Sequence, residues 1–362
     1  MANEKQEQPK VLTVSPSPHV YDASTSRRIM IEVIIGLLPG TVMAVYLFGK
    51  SAVVVLLSAL VGCLATEWVF NAVRRKPQTL HDGSGVVTGL ILGLSMPANT
   101  HWWAVVIGSV VAVGVTKMLF GGLGANIFNP AMVGRAFLIV CFGTALTAQQ
   151  AASQAARDEA GGELVARVEA EAVTGATPLA LAKAPIKDAA KADLAVAQRA
   201  TAAEVNTLIV PMFKGTIDGC AGETSALAWL IGGMFLLVRR TITWHVPAAV
   251  LGSAMVIATG AWLVNDTVYP NPLVHLFGGA LMMGAFFIAT DPVSCPLSKL
   301  GRVIFGVGVG AIVMLIRFKG GYPEGLMYAI LLMNSMTPLL DRWTGPVPVG
   351  GHVAKPKAQG AS

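Results

Sequence analysis

The chain has 362 residues, of which 54% are hydrophobic and only 13% charged, with a mean hydropathy of +0.64. Soluble domains carry about 25% charged residues, so this composition excludes an ordinary water-soluble fold and specifies an integral membrane protein. The net charge of +6 then speaks to topology, and no basic run interleaved with aromatics suggests a nucleic-acid partner.

Residues 1–26 read as a polar tail without the apolar stretch of a cleavable signal peptide. Arg27 and Arg28 precede an apolar span over roughly 29–48. The next runs over roughly 51–72 and ends at Arg74, Arg75 and Lys76. A third stops at Pro97, and Trp102 and Trp103 read as interfacial anchors for a fourth, to about Phe120. The stretch Gly121 to Pro130 is too broken by glycine for a continuous helix, and a fifth span follows to about Ala148. Residues 149–222 change character: Ala, Glu, Lys and Arg dominate, and polar helices are expected there. Apolar spans resume at roughly 224–238, 243–264, 273–290, 302–317 and 324–340, before a polar tail from Asp341.

This pattern predicts an all-α polytopic membrane protein with about ten spans, five on each side of the long loop. The expected units are a tail over 1–26, a first five-helix unit over 27–148, an extracytoplasmic loop over 149–222, a second five-helix unit over 223–342 and a tail over 343–362. Arg27/Arg28, Arg74 to Lys76, Arg239/Arg240, Lys299/Arg302 and Arg342 all fall on one side if the spans alternate, which makes that side cytoplasmic. Arg317 and Lys319 are the exceptions on the far side. Both termini are therefore expected inside and the long loop outside. The punctuation Leu94-Ser-Met-Pro97, Phe120-Gly-Gly and Asn129-Pro130 recurs in order as Ala289-Thr-Asp-Pro292, Phe318-Lys-Gly-Gly and Tyr322-Pro323. Five spans used twice place the second copy upside down, the inverted-repeat plan with broken helices near a central site.

Ionisable residues inside spans are costly and are functional candidates. Glu32, Lys117 and Arg135 fall near cytoplasmic ends and are expected to snorkel to the interface. Glu67 and Asp291 are the candidates for a Na⁺ or H⁺ path. Asp291 sits at a helix break, where Thr290, Ser294 and freed carbonyls suit a small cation, although a helix-capping role fits equally. Asn126 and Asn129 flank the break before the fifth span, where their amides either satisfy the broken backbone or hydrogen-bond a planar heterocycle. The long loop contains Glu171-Ala-Val-Thr-Gly-Ala-Thr-Pro-Leu179, with hydroxyls at Thr174 and Thr177 among small residues and Pro178 stiffening the far side. Such a stretch suits a threonine presented to a modifying enzyme, or an ordinary turn. Cys63, Cys141, Cys220 and Cys295 are dispersed with no C-x-x-C, which argues against an iron–sulfur or zinc site built within the chain.

Five motifs in order carry a resemblance: Asn126-Ile-Phe-Asn-Pro-Ala131, Thr174-Gly-Ala-Thr-Pro-Leu179, Gly222-Glu-Thr-Ser225, Ala289-Thr-Asp-Pro-Val-Ser294 and Gly320-Gly-Tyr-Pro-Glu-Gly325. Over about residues 20–345 the chain resembles the D subunits of bacterial Rnf electron-transport complexes, relatives of the B subunit of sodium-pumping NADH:quinone oxidoreductase. The resemblance implies a covalent FMN, joined by a phosphoester to Thr177 by a flavin transferase outside the cytoplasmic membrane, with Thr174, Gly175 and Ala176 completing the motif. Where that pattern usually opens with Asp, this chain has Glu171, which keeps the charge. It further implies electron transfer between flavins and iron–sulfur centres of neighbouring subunits, linking ferredoxin and NAD with ion translocation. The related subunit also implies a second, non-covalent riboflavin in the membrane part, sought near Asn126 and Asn129. A non-redox transporter or a scaffold subunit would share the span pattern but has no need of a flavin anchor.

Overall fold

The computed structural model describes residues 25–143, 179, 202–215, 220, 222–223, 225–266, 268–320, 322 and 324–345. Thr174, Gly175, Ala176 and Thr177 lie outside the described residues, as does most of the expected loop over 149–222. Among the described residues every regular element is helical.

The first helix, α1 (Ser26–Val73), begins at Thr25, whose hydroxyl accepts from Arg28 N at 3.3 Å. Gly49, at φ 55° and ψ −132°, breaks it into two arms that match the two predicted spans. After a single 3₁₀ turn at Leu80–Asp82 come α2 (Ser84–Leu94), α3 (Trp102–Met118, its second half wound as a π-helix) and α4 (Pro130–Gly143). Two short helices follow, α5 (Ala202–Thr207) and α6 (Ile209–Lys214). The second half contains α7 (Ala226–Val238), α8 (His245–Val264), α9 (Pro272–Phe277), α10 (Leu281–Met283, continued as a π-turn over Gly284–Ile288), α11 (Lys299–Lys319) and α12 (Leu326–Thr344).

Three of these helices are long and apolar enough to cross a membrane: α1, α8 and α11. The expectation of about ten spans near 20 residues each is thus met only in part, because α2 has 11 residues and α7 has 13. Short helices are tolerable at membrane depth where their exposed backbone ends are satisfied by protein. Apolar side chains such as Val42, Val61 and Val256 point outward, as suits a surface facing lipid.

Packing is set by small residues. The first arm of α1 crosses α7 where Gly36 meets Gly232, and a Cβ on Gly232 would run into the Gly36 carbonyl oxygen. One turn on, Gly40 makes room for the Trp229 indole, whose Nε1 donates to Gly222 O at 2.8 Å. The second arm of α1 meets α3 at Gly62 and Ser109, and α8 meets α11 at Gly306 and Gly310. Such contacts let backbones approach closely, which drives association where water is absent. At their centre lie Leu37, Leu92, Leu236, Phe286, Phe287 and Phe305, all buried.

The Gly36–Gly232 crossing has no slack, so Gly232→Ala is expected to destabilise the folded chain by about 1–3 kcal/mol through overpacking. Gly252, on α8, has open space around its Cα. Gly252→Ala should leave the midpoint of thermal unfolding in detergent unchanged or slightly raised. Equal effects of the two variants would refute the crossing.

Candidate functional site

Two polar sites occupy the core, one at each end of α10. The first is a cavity of about 840 Å³, counting its solvent-open part. Its walls are largely apolar, with Met30, Val33, Ile91, Leu236, Phe286 and Phe287. The polar lining is Ser84, Thr88, Lys117, Asn126, Asn129, Thr241, Thr290 and Asp291. The structure therefore brings both predicted asparagines and Asp291 into one pocket.

Local chemistry places each group. Asn129 precedes Pro130, the first residue of α4, and its Oδ1 accepts from Met132 N at 3.3 Å. Pro at a first helical position after an Asn cap is a strong start signal. Asn126 Nδ2 donates to Phe128 O at 3.1 Å within the same broken loop. Both amides thus satisfy broken backbone while also lining the cavity, so the backbone role and a place at the pocket wall coexist. Asp291 Oδ1 accepts from Val293 N at 3.2 Å and its Oδ2 from Ser294 Oγ at 2.9 Å, a turn that closes the π-helical end of α10. The Thr290 hydroxyl is committed to Phe286 O at 2.6 Å. Asn129 Nδ2 lies 3.5 Å from Asp291 Oδ2. Asp291 is therefore committed to a local turn after α10 and is not the N-cap of a helix, since the next helix, α11, starts at Lys299 behind Ser298. Among the described residues no group of three or more His, Cys, Asp or Glu side chains stands ready for a metal ion.

Glu67 does not line the cavity. It is fully buried behind the wall, where its Oε1 accepts from Lys117 Nζ at 2.9 Å and Thr79 Oγ1 at 2.6 Å. Lys117 Nζ also donates to Ser84 Oγ at 2.6 Å. Gly85 allows this approach, since a Cβ there would stand 2.6 Å from Glu67 Oε2. Lys117, only 2% exposed, does not snorkel, and neither does Arg135 at 8%. Glu32, also buried, is held by Arg239 Nη2 at 2.6 Å, by the Thr241 hydroxyl and by Arg28. The snorkelling expectation fails for Lys117 and Arg135, whose partners are buried inside the protein, whereas Glu32 meets Arg28 and Arg239 side chains that are about half exposed.

The second site goes beyond the candidates named from the sequence. Arg135 Nη2 lies 3.5 Å from Glu324 Oε2 and 3.7 Å from Glu223 Oε1. Glu324 Oε1 accepts from Ala280 N, at the start of α10. Arg317 Nη2 donates to Gly278 O at 3.0 Å and Nη1 to His275 O, at the end of α9. Arg317, the apparent exception to the charge rule, is thus a buried capping residue and not a loop charge. Leu179, two residues after Thr177 and itself buried, packs on Gly278 and Gly279. Gly279 has φ +70°, and a Cβ there would meet Leu179 Cδ1 at 2.6 Å, Glu324 Oε1 at 2.7 Å and Arg317 Nη2 at 3.2 Å. Glu223 and Glu324 belong to two of the motifs quoted above, which is the only sequence signal that marks them.

A family model described as NQR2, RnfD, RnfE matches residues 13–350. The chain belongs to that family. Among curated relatives it is 40% identical to the D subunit of the Na(+)-translocating ferredoxin:NAD(+) oxidoreductase complex of Acetobacterium woodii, over 92% of this chain and 93% of that one. It is 37% identical to the D subunit of the proton-translocating ferredoxin:NAD(+) oxidoreductase complex of Clostridium ljungdahlii, over 96% and 98%. The D subunit of the ion-translocating oxidoreductase complex of Cronobacter sakazakii is 37% identical over 94% and 99%.

In this family member the Glu67–Lys117 pair is a sharp test of buried charge. Removing one partner of a buried pair costs about 3–5 kcal/mol, because the other is left uncompensated. Lys117→Met alone is expected to lower stability by that order, and Lys117→Met with Glu67→Gln to recover most of it. Unfolding midpoints of the two variants check this; no recovery in the double variant would mean that the pair is not a pair.

Proposed function

We propose that this chain is the membrane subunit of an ion-motive electron-transport complex linking ferredoxin and NAD, bearing covalent FMN on Thr177 and a non-covalent riboflavin-like ring in the cavity. The observation that carries this reading is the end-to-end match to D subunits of ferredoxin:NAD(+) oxidoreductase complexes. Other subunits of that complex, flavin-bearing and iron–sulfur, are its partners, with membrane lipid around it and a flavin transferase as the modifying enzyme. The two five-span halves form an inverted repeat, a plan supported by the meeting of the first spans of each half at Gly36 and Gly232. Both termini face the cytoplasm and Thr177 the other side, from the distribution of Lys and Arg in short loops.

The cavity residues fit an uncharged planar ring better than a phosphorylated one. Phe286, Phe287 and aliphatic walls supply apolar contact, and Asn126 and Asn129 supply edge-on amides. Lys117, the cation of this lining, is already neutralised by Glu67 and cannot serve a phosphate without breaking that pair. When bound, a flavin supplies one- or two-electron transfer. The residues around it exclude water, fix the ring edge and set the local field. Asp291, on the same wall, is placed to feel any added negative charge and to favour a cation beside it.

The deciding measurement is in-gel flavin fluorescence of the denatured chain, made alongside its transferase. Fluorescence is expected for the unaltered chain and Thr174→Val, and not for Thr177→Val. Fluorescence that persists in Thr177→Val, or is absent from the unaltered chain, would sink the covalent assignment. The cavity is tested separately by flavin that dissociates on denaturation. Asn126→Leu removes an edge hydrogen bond and should weaken its retention on the order of tenfold, while covalent fluorescence stays unchanged. Equal retention in Asn126→Leu would move the ring elsewhere.

A further inference from the structure

The charged groups at the other end of α10 differ from the rest of the buried pairs. Arg239 meets Glu32 at 2.6 Å and Lys117 meets Glu67 at 2.9 Å, within ordinary charge-assisted range. Arg135 instead lies between Glu324 at 3.5 Å and Glu223 at 3.7 Å and holds neither closely. Among the described residues its Nη1 is buried with no hydrogen-bond partner, as are Arg317 Nε and, in the tighter pair, Glu67 Oε2. Both carboxyl groups thus converge on one nitrogen of a single buried guanidinium. Two like charges sharing a buried site disfavour double ionisation and raise the proton affinity of one of them.

We propose that Glu223 and Glu324 form a proton site, sharing one exchangeable proton, with Arg135 as the cation that shifts between them as the proton comes and goes. When the proton binds Glu223, an O–H bond forms and donates to Glu324, and Arg135 pairs with Glu324 alone. When the proton leaves to water, both carboxylates are charged and Arg135 bridges them. No electron moves in either step. The link between this site and ion movement rests on the function proposed above; the proton itself does not.

The surroundings fit this assignment. Glu223 lies in the segment before α7, where burial, and after it the Glu324 carboxylate, pushes its carboxyl well above the ordinary range. Glu324 is just as buried but is met by positive groups and donors: the Arg135 and Arg317 guanidiniums and the Ala280 amide. Its charge is therefore met by more partners than that of Glu223, which among the described residues has Arg135 alone at 3.7 Å. Arg135 comes from α4, Arg317 from the end of α11, and Cys220 precedes Glu223 on its own segment, its carbonyl accepting from Glu223 N at 2.9 Å. A metal cation in the same place would stand against the Arg135 guanidinium, whereas a proton adds no separate centre of charge to be screened. The Gln side chain mimics a protonated Glu in size and in having donors, so Glu223→Gln is compatible with the fold.

Infrared difference spectra of the full chain in nanodiscs, recorded while pH is stepped, read protonated carboxyl groups directly. A buried carboxyl band that fades on alkalinisation is expected, missing in Glu223→Gln. In Glu324→Gln the band should remain but its midpoint should fall by about one pH unit, a tenfold change in proton affinity, because a neighbouring like charge is gone. Should Glu223→Gln fail to fold, the midpoint shift in Glu324→Gln decides alone. A band that survives Glu223→Gln, or a midpoint unmoved in Glu324→Gln, would overturn the site and leave a static brace. In-gel flavin fluorescence of the same samples reports the flavin assignment independently, so its failure and this one cannot be confused.

Discussion

The constraint on which the rest of the structure depends is that a backbone group away from water must find its partner inside the protein. This chain breaks its helices in the core at least twice, before α4 and between α9 and α10, and each break leaves amides and carbonyls without intrahelical partners. The side chains that answer them are the polar residues that stand out in the sequence. Asn129 takes an amide at the start of α4. At the break between α9 and α10, Arg317 takes carbonyls at the end of one helix and Glu324 takes an amide at the start of the next. A positive group meets the carbonyl end and a negative group the amide end, the arrangement that the partial charges of helix ends favour.

That demand also explains where function can be lodged. A broken helix needs polar partners at a depth where polar groups are otherwise excluded, and the partners then attract one another. The cavity and the Arg135 cluster are two consequences of one design, placed at opposite ends of α10. The same short helix starts beside Glu324 and ends beside Asp291. α4 runs between them as well, from Asn129 at the cavity to Arg135 at the cluster, six residues later and about 9 Å along the axis. Both sites are therefore braced by the same pair of helices, and a change of charge at one end is felt by elements that terminate at the other.

Much of this is legible in the chain. Glycine and proline mark the breaks, and the Asn126/Asn129 pair and Asp291 stand out because a polar side chain at a break has few other uses; the structure places all three on one wall. The true settings of Lys117 and Arg135 are not legible, since nearness to a span end is visible in sequence while a partner far away in sequence is not. Arg135 pairs with Glu324 across 189 positions, and Lys117 with Glu67 across 50. The lengths of α2 and α7 fall short of the predicted spans for a related reason: hydropathy sees where apolar residues run, but a helix ends where its backbone is better served by something else.

Loose and tight ion pairs in one core have different uses. The Glu67–Lys117 pair is tight and also held by Thr79 and Ser84, although Glu67 Oε2 has no hydrogen-bond partner among the described residues. Such pairs lock helices in register, at a desolvation cost that only good geometry offsets. Arg135, buried though less deeply than that pair, is shared at longer distances between two carboxyls and keeps an N–H without a partner among the described residues. Deep burial with poor pairing is costly for a purely structural role, since an apolar contact there would be at least as stable. Such a cluster makes sense where two arrangements of the same charges must lie close in energy. Leu179, the close of the threonine motif, packs against Gly279, where a Cβ would also meet Glu324 and Arg317, so the last residue of that motif rests beside the loosely paired cluster.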